Sequence, residues 1–418
     1  ARCRTSRHGC VMDAFCSASA EQGRGDSERC VPLPTRRRQG ILALDFDANT
    51  SAGTGWNSEC PPIALTPEVA RLLAADAAVA IGVSGGKDSC AVAIAVDRHL
   101  KAISHAGPRI LIHADLGRVE WRDSLPACQR LAERVGWELV IVRRQAGDLL
   151  HRWNGRWANN VARYAALECV QVILPWSTPS MRFCTSEAKT KIIASALAKR
   201  FPGRPILNVT GIRREESASR RAKPVCAIDS NLATGRREAI VWNPIIEWPI
   251  EQVWRTIAAA GLTHEAYAVY GSTRVSCVFC IMSSIGDLRA AASCPENHEI
   301  YRAMVDLEAR STFAFQGNRW LADTAPHLLD ADMRRAVTRA RLAAHERMQL
   351  EAWLPRHLLY VKGWPTSVPS HEDAELLASI RRRVSTLLGI DADYLTGPAV
   401  RERYRDLIAA KPDRIPVP

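Results

Sequence analysis

The sequence predicts an α/β protein built on a doubly wound parallel sheet, followed by a mainly helical C-terminal region. Three observations predict it. Apolar strand-like runs alternate with helix-like segments between residues 64 and 142, a glycine turn joins the first strand to a helix, and beyond residue 250 the apolar spacing is that of helices. With 418 residues, 47% hydrophobic and 24% charged, the chain can bury a large core and is not a disordered protein. No apolar run nears the roughly 20 residues of a membrane span, and no secretory-signal pattern opens the chain. A cytoplasmic protein with no membrane partner is expected.

In chain order, residues 1–62 mix Cys, Arg, Ser and Gly with little periodicity and read as a poorly ordered extension, with Met12 as a candidate internal start. Cys3, Cys10, Cys16, Cys30 and Cys60 form no Cys-x-x-Cys pair there. Residues 63–250 read as a nucleotide-binding α/β domain, 251–330 as a cysteine-bearing subdomain and 331–418 as a helical region. Thr66 can cap a helix that has Pro67 at its first position. Val79, Ala80, Ile81 and Val83 form a buried strand, and Cys90–Val96 continues as a helix. Strand Arg109–Ala114, helix Glu120–Arg134 and strand Trp137–Val142 complete a βαβαβ order. A further strand is expected at Pro205–Val209. Helices are expected at 250–260, stopped by Gly261, and at 296–311, 331–352, 371–388 and 397–410, with Pro365 and Pro369 marking a linker.

Ligands of such sheets lie at the strand C-termini, and three segments fall there: Ser84–Ser89, His113–Asp115 and Thr210–Ser217. Ser84-Gly85-Gly86-Lys87-Asp88-Ser89 is the sharpest. Its glycines let backbone amides approach a phosphate, the helix start adds partial positive charge, and Lys87 adds a full one. An ordinary βα turn is the bland alternative, but six specified positions at a strand-turn-helix junction favour a phosphate cradle. The pattern is neither a Walker loop nor a dinucleotide fingerprint. His113 and Asp115 could meet a ribose hydroxyl or a magnesium ion, although a strand-end Asp is as often a turn residue. Gly211, Arg213 and Arg214 form a glycine turn with paired guanidinia suited to phosphate or sulfate, or to pairing with Glu215 and Glu216.

Between residues 141 and 240 there are 18 Lys and Arg against 7 Asp and Glu, nearly the whole excess behind the net charge of +12. A basic segment beside a phosphate loop suits a polyanion: ATP, a sulfonucleotide or nucleic acid. The 13 cysteines read as thiols and metal ligands rather than a disulfide framework. Cys277 and Cys280 form a Cys-x-x-Cys pair. With Cys184 and Cys294 they could enclose an iron-sulfur cluster or, alternatively, zinc, or could be buried free thiols.

The Ser-Gly-Gly-x-Asp-Ser loop resembles that of the ATP pyrophosphatase superfamily, and Gly211-x-Arg213-x-x-Glu216-Ser217 resembles the second signature of its phosphoadenosine phosphosulfate (PAPS) reductase family. The resemblance covers roughly residues 75–310. It implies an adenine nucleotide alpha hydrolase-like sheet, with Ser84, Gly85, Gly86 and Ser89 on the β and γ phosphates of ATP. It also implies Lys87 and Arg213 on developing charge and Asp88 as a helix cap or Mg2+ ligand. Cys184 followed by Cys277 and Cys280 is similar to the ligand order of 4Fe-4S sulfonucleotide reductases, except that Phe183 replaces one of two adjacent cysteines. Those reductases also attack with a thiol near the C-terminus, whereas no cysteine follows Cys294 here. The resemblance therefore implies first an ATP pyrophosphatase that adenylylates an acceptor for sulfur transfer, as in DNA phosphorothioation or tRNA thiolation. Nucleic acid and a sulfur donor such as a cysteine desulfurase would be its partners. The alternatives are a PAPS or adenylyl-sulfate reductase and a non-catalytic nucleotide- or DNA-binding subunit.

Overall fold

Strand residues of alternating parity bury on opposite faces of one sheet, the mark of a doubly wound architecture. Val79, Ile81, Val83, Leu111, Leu207 and Val209 pack into one apolar core. Ala78, Ala80, Ile110, Ile112 and Ile206 pack into another on the opposite face. The computed structural model describes residues 61–411, so the N-terminal extension up to residue 60 and its five cysteines lie outside the described residues.

The six strands are β1 (Ala78–Val83), β2 (Arg109–Asp115), β3 (Glu138–Arg143), β4 (Ile206–Val209), β5 (Cys226–Ile228) and β6 (Ala239–Trp242). Their order is β3-β2-β1-β4-β6-β5, all parallel except the β5–β6 pair. This is the doubly wound sheet expected. The chain steps outward from β1 to β3 and then returns to the other side of β1 with β4. The switch point is therefore the β1–β4 junction, where the two strand ends leave a crevice. β5 and β6 went unread because three- and four-residue strands carry too short an alternation to register.

The helix after β1 spans Lys87–Ala102 and is buried without a break from Cys90 to Asp97, between the sheet and helix Ile250–Ala259. Thr66 caps helix Pro67–Ala74 as expected, accepting from the Val69 amide. The helix expected from residue 120 begins later, at Ser124, and ends at Gly136 in the left-handed region. Leu149–Ala165 is a further helix the periodicity did not reveal. Gly155, Asn159 and Asn160 lower its propensity, and tertiary burial of Trp153, Trp157 and Tyr164 holds it instead.

The C-terminal helices Ala331–Ala352, His371–Leu388 and Gly397–Ala409 share one apolar core with helix Leu149–Ala165 and with Leu116, Val119 and Trp121 after β2. Arg381, fully buried, fastens the join. Its guanidinium donates to the carbonyls of Tyr164 (2.8 Å), Ala165 (3.1 Å) and Asp393 (2.8 Å), the first two at the C-terminal end of helix Leu149–Ala165. The described residues form one compact unit. Among them no helix is long and apolar enough to cross a membrane.

Candidate functional site

The phosphate loop leaves β1 and the Gly211–Arg213 turn leaves β4 on the two sides of the switch point, and they meet. A Cβ on Gly211 would lie 2.7 Å from the Asp88 carbonyl oxygen and 3.2 Å from the Ser89 nitrogen, so only glycine lets the two turns touch. Within the loop, Ser89 Oγ donates to the Gly86 carbonyl (2.8 Å) and accepts from the Ser84 amide (3.3 Å), closing a tight ring. Gly85 has φ +72°, and a Cβ there would press on the Ser124 carbonyl at 3.0 Å and on His264 at 3.1 Å.

Asp88 stands between two cations. Arg213 Nε donates to its Oδ1 at 2.7 Å, and Lys87 Nζ lies 3.3 Å from its Oδ2. The Arg213 side chain is only 4% exposed and is also held by Glu215 (2.9 Å) and the Trp248 carbonyl (3.3 Å). Its own amide donates to Glu216. Arg213 is thus aimed at the loop by carboxylates on its own turn. Arg214 points elsewhere and pairs with Glu247 at 3.0 Å, so the two adjacent guanidinia do not act as one fork.

Residues that sequence reasoning missed cover the loop's glycine side. Tyr267 Oη accepts from the Lys87 amide (3.2 Å) and the Val275 amide (3.1 Å), and burial keeps its phenol protonated. Lys87 Nζ donates to the Thr273 carbonyl (3.3 Å) and lies 5.9 and 5.8 Å from the ring centroids of Trp254 and Tyr267. His264 is fully buried against Ser124. Burial lowers its imidazole to about 4, so it buttresses Gly85 as a neutral ring. No spacing signal marks Tyr267 or His264; they reach the loop only through the fold.

His113 is buried at the end of β2. Its ring nitrogens face the Val83 carbonyl and Glu120 Oε2, both at 3.1 Å, and Cys128 Sγ lies 3.7 Å away. Burial opposes its charge, but the bonds to Cys128 and Glu120 outweigh it and raise the imidazole to about 10. His113 therefore ties β2 to the last residue of β1 from behind the loop. Asp115 accepts from the Gly117 amide (2.7 Å) and faces Arg143 at 3.5 Å.

Further arginines edge the crevice. Arg220, on the turn of helix Ala218–Arg221, bonds to Glu216 and is pushed below its ordinary pKa by burial and by the nearby charges of Arg274, Arg182 and Arg213. Arg182 donates to Thr185 Oγ1 (3.3 Å) and Arg274 to the Met282 carbonyl (3.5 Å), both uncharged oxygens. Like charges crowded this way repel one another.

The cysteine loop docks on the segment after β2: the Val278 amide donates to the Val119 carbonyl (2.8 Å), and Glu120 and Cys277 form an isolated bridge. Gln316 Nε2 clamps the loop through the carbonyls of Cys280 (3.2 Å), Ile281 (3.0 Å) and Ser283 (3.0 Å). Burial raises the Cys277 thiol to about 12, with further contributions from nearby Cys280 and Cys184. Those three sulfurs share one neighbourhood. Cys294 does not join it; it follows helix Ile285–Ser293, donates to Glu296 Oε2 at 3.1 Å and bonds to Tyr270. Among the described residues no three His, Cys, Asp or Glu side chains converge as a metal site.

Fold and loop together define an α/β domain with a glycine turn, Lys87 and Arg213 gathered at its switch point. Residues 78–283 match the family model described as the phosphoadenosine phosphosulfate reductase domain. An uncharacterized 37.8 kDa protein of Escherichia phage 186 is 25% identical over 244 residues, which is 50% of this chain and 68% of that protein. Among solved structures, a PAPS reductase from Candida auris in its phosphate complex aligns with TM-score 0.32 and 13% identity, over 52% of this chain and 98% of its own. The U34-tRNA thiolase NcsA of Methanococcus maripaludis, solved with its 4Fe-4S cluster, aligns with TM-score 0.32 and 16% identity, over 58% and 74%.

Proposed function

We propose that this chain is a PAPS-reductase-like ATP pyrophosphatase that adenylylates an acceptor, most simply a nucleic acid, for sulfur transfer. The observation that carries this reading is the joint hold of Lys87 and Arg213 on Asp88 at the switch point. Two cations sharing one carboxylate beside the loop can be re-paired by a polyphosphate at little cost. An acceptor oxygen attacks the α-phosphorus, and the bond to the bridging oxygen of the β-phosphate breaks. Pyrophosphate then leaves with its charge on Lys87, Arg213 and the loop amides. A sulfide equivalent from a partner such as a cysteine desulfurase next displaces AMP from the activated acceptor. Arg182, Arg220 and Arg274 line the approach for the acceptor's phosphates.

The reductase alternative requires a nucleophilic thiolate. Cys294, the candidate, is buried, donates its proton to Glu296 and is held above its ordinary pKa by burial, the opposite of an activated cysteine. The deciding assay follows pyrophosphate from ATP, with and without DNA or RNA, alongside sulfite from PAPS with thioredoxin. Nucleic-acid-stimulated pyrophosphate is expected. Sulfite without pyrophosphate would install the reductase instead, and nucleotide binding with neither product would leave a binding subunit.

A further inference from the structure

We infer that the Tyr267 hydroxyl occupies an anion position on the phosphate loop, so that phosphate binding must displace it and thereby release the segment that leads into Cys277. The inference rests on the nucleotide-binding reading above. The first amides of a helix have no partner within the helix and are the groups an anion uses. At the helix Lys87–Ala102 no side chain of the cap residue Gly86 serves them. The Lys87 amide donates instead to Tyr267 Oη at 3.2 Å.

The same oxygen accepts from the Val275 amide at 3.1 Å, two residues before Cys277. One phenol oxygen therefore bridges the phosphate loop and the cysteine loop. The segment around it presses on the same surface. A Cβ on Gly86 would lie 3.5 Å from the Val275 carbonyl and 3.7 Å from Tyr267 Oη, and Lys87 Nζ is drawn to the Thr273 carbonyl at 3.3 Å. Asp287 holds the segment in place by accepting from the Thr273 amide (2.6 Å) and from Ser272 Oγ (3.2 Å). A phosphate oxygen and the phenol oxygen compete for one N–H. When phosphate wins, Val275 loses its acceptor and residues 264–283 loosen.

Tyr267→Phe tests this because it keeps the ring, which packs edge-on to Trp254 at 5.0 Å, and removes only the competing oxygen. Calorimetry with inorganic pyrophosphate and with ATP on the full chain should show the variant binding about fivefold tighter than the natural protein, the worth of one hydrogen bond no longer displaced. A tyrosine that merely supports the site, or donates to the phosphate, predicts weaker binding, and equal or weaker binding overturns the inference. Hydrogen exchange of the unaltered protein is a second measurement that does not depend on the variant's folding. Saturating pyrophosphate should speed exchange in residues 264–283 by about fivefold or more, while greater protection there overturns the displacement. Failure of either protein to bind ATP or pyrophosphate would sink the nucleotide reading itself, a result distinct from binding without the Tyr267 effect.

Discussion

Two buried guanidinia, one at each end of the molecule's job, are held in opposite ways. Arg213 at the switch point is bound by carboxylates, Asp88 and Glu215, and shares the first with Lys87. Arg381 in the helical region has three backbone carbonyls for partners and the Tyr164 ring 4.7 Å below its plane. A carboxylate can be exchanged for a ligand's phosphate, because one anion replaces another. Carbonyls at a helix end have no such substitute and must keep their donor. The difference separates a buried charge whose partners a bound anion can replace from one whose partners the fold itself supplies.

The sharpest way to break this distinction is to delete each arginine. Arg381→Ala should cost about 3–5 kcal/mol of stability, seen as a lower urea midpoint, with ATP affinity of the remaining folded protein unchanged. Arg213→Ala should leave the urea midpoint nearer its original value but weaken ATP binding about tenfold, whereas Arg214→Ala, whose partner is Glu247, should shift affinity less than about twofold. If Arg214→Ala proved the more damaging to binding, the assignment of the two would reverse.

A slope separates the regions by pH. Glu308 in the helical region is fully buried and accepts from the amides of Phe315, Leu321 and Ala322; burial raises its carboxyl to about 7. The folded form then keeps a proton that the unfolded chain loses above its ordinary value of 4.5, so stability falls as pH climbs from 4.5 to 7. His113 beside the phosphate loop is raised from 6.5 to about 10, and its contribution, full below 6.5, is lost as pH rises from 6.5 to 10. Each slope should be roughly 1 kcal/mol per pH unit. Glu308→Gln should flatten only the lower window and His113→Gln only the upper, as read from denaturation midpoints across pH.

The Ser84–Ser89 strand-to-helix turn, the first three strands and the long C-terminal helices were legible because their signals are local: an apolar run into Gly85-Gly86, a period of two or of 3.6, Thr66 before Pro67. The pairing of Arg213 with Asp88 was half legible, since the signature picked out Arg213 while its partner lies 125 residues away. Tyr267, His264 and Gln316 were invisible, because each acts through a contact made only after the chain has folded. The partner of Cys294 was invisible for the same reason: helix Ile285–Ser293 carries this cysteine to Glu296.

The family match ends at residue 283, yet the carbonyls of Cys280, Ile281 and Ser283 depend on the Gln316 amide, which lies beyond that boundary. Recombination that exchanged the helices and kept residues 78–283 would strand three acceptors at the cysteine loop. The posture of the cysteine loop therefore depends on a residue outside the matched segment, and Gln316→Ala should speed hydrogen exchange in residues 277–283 while Gln316→Asn keeps part of the protection.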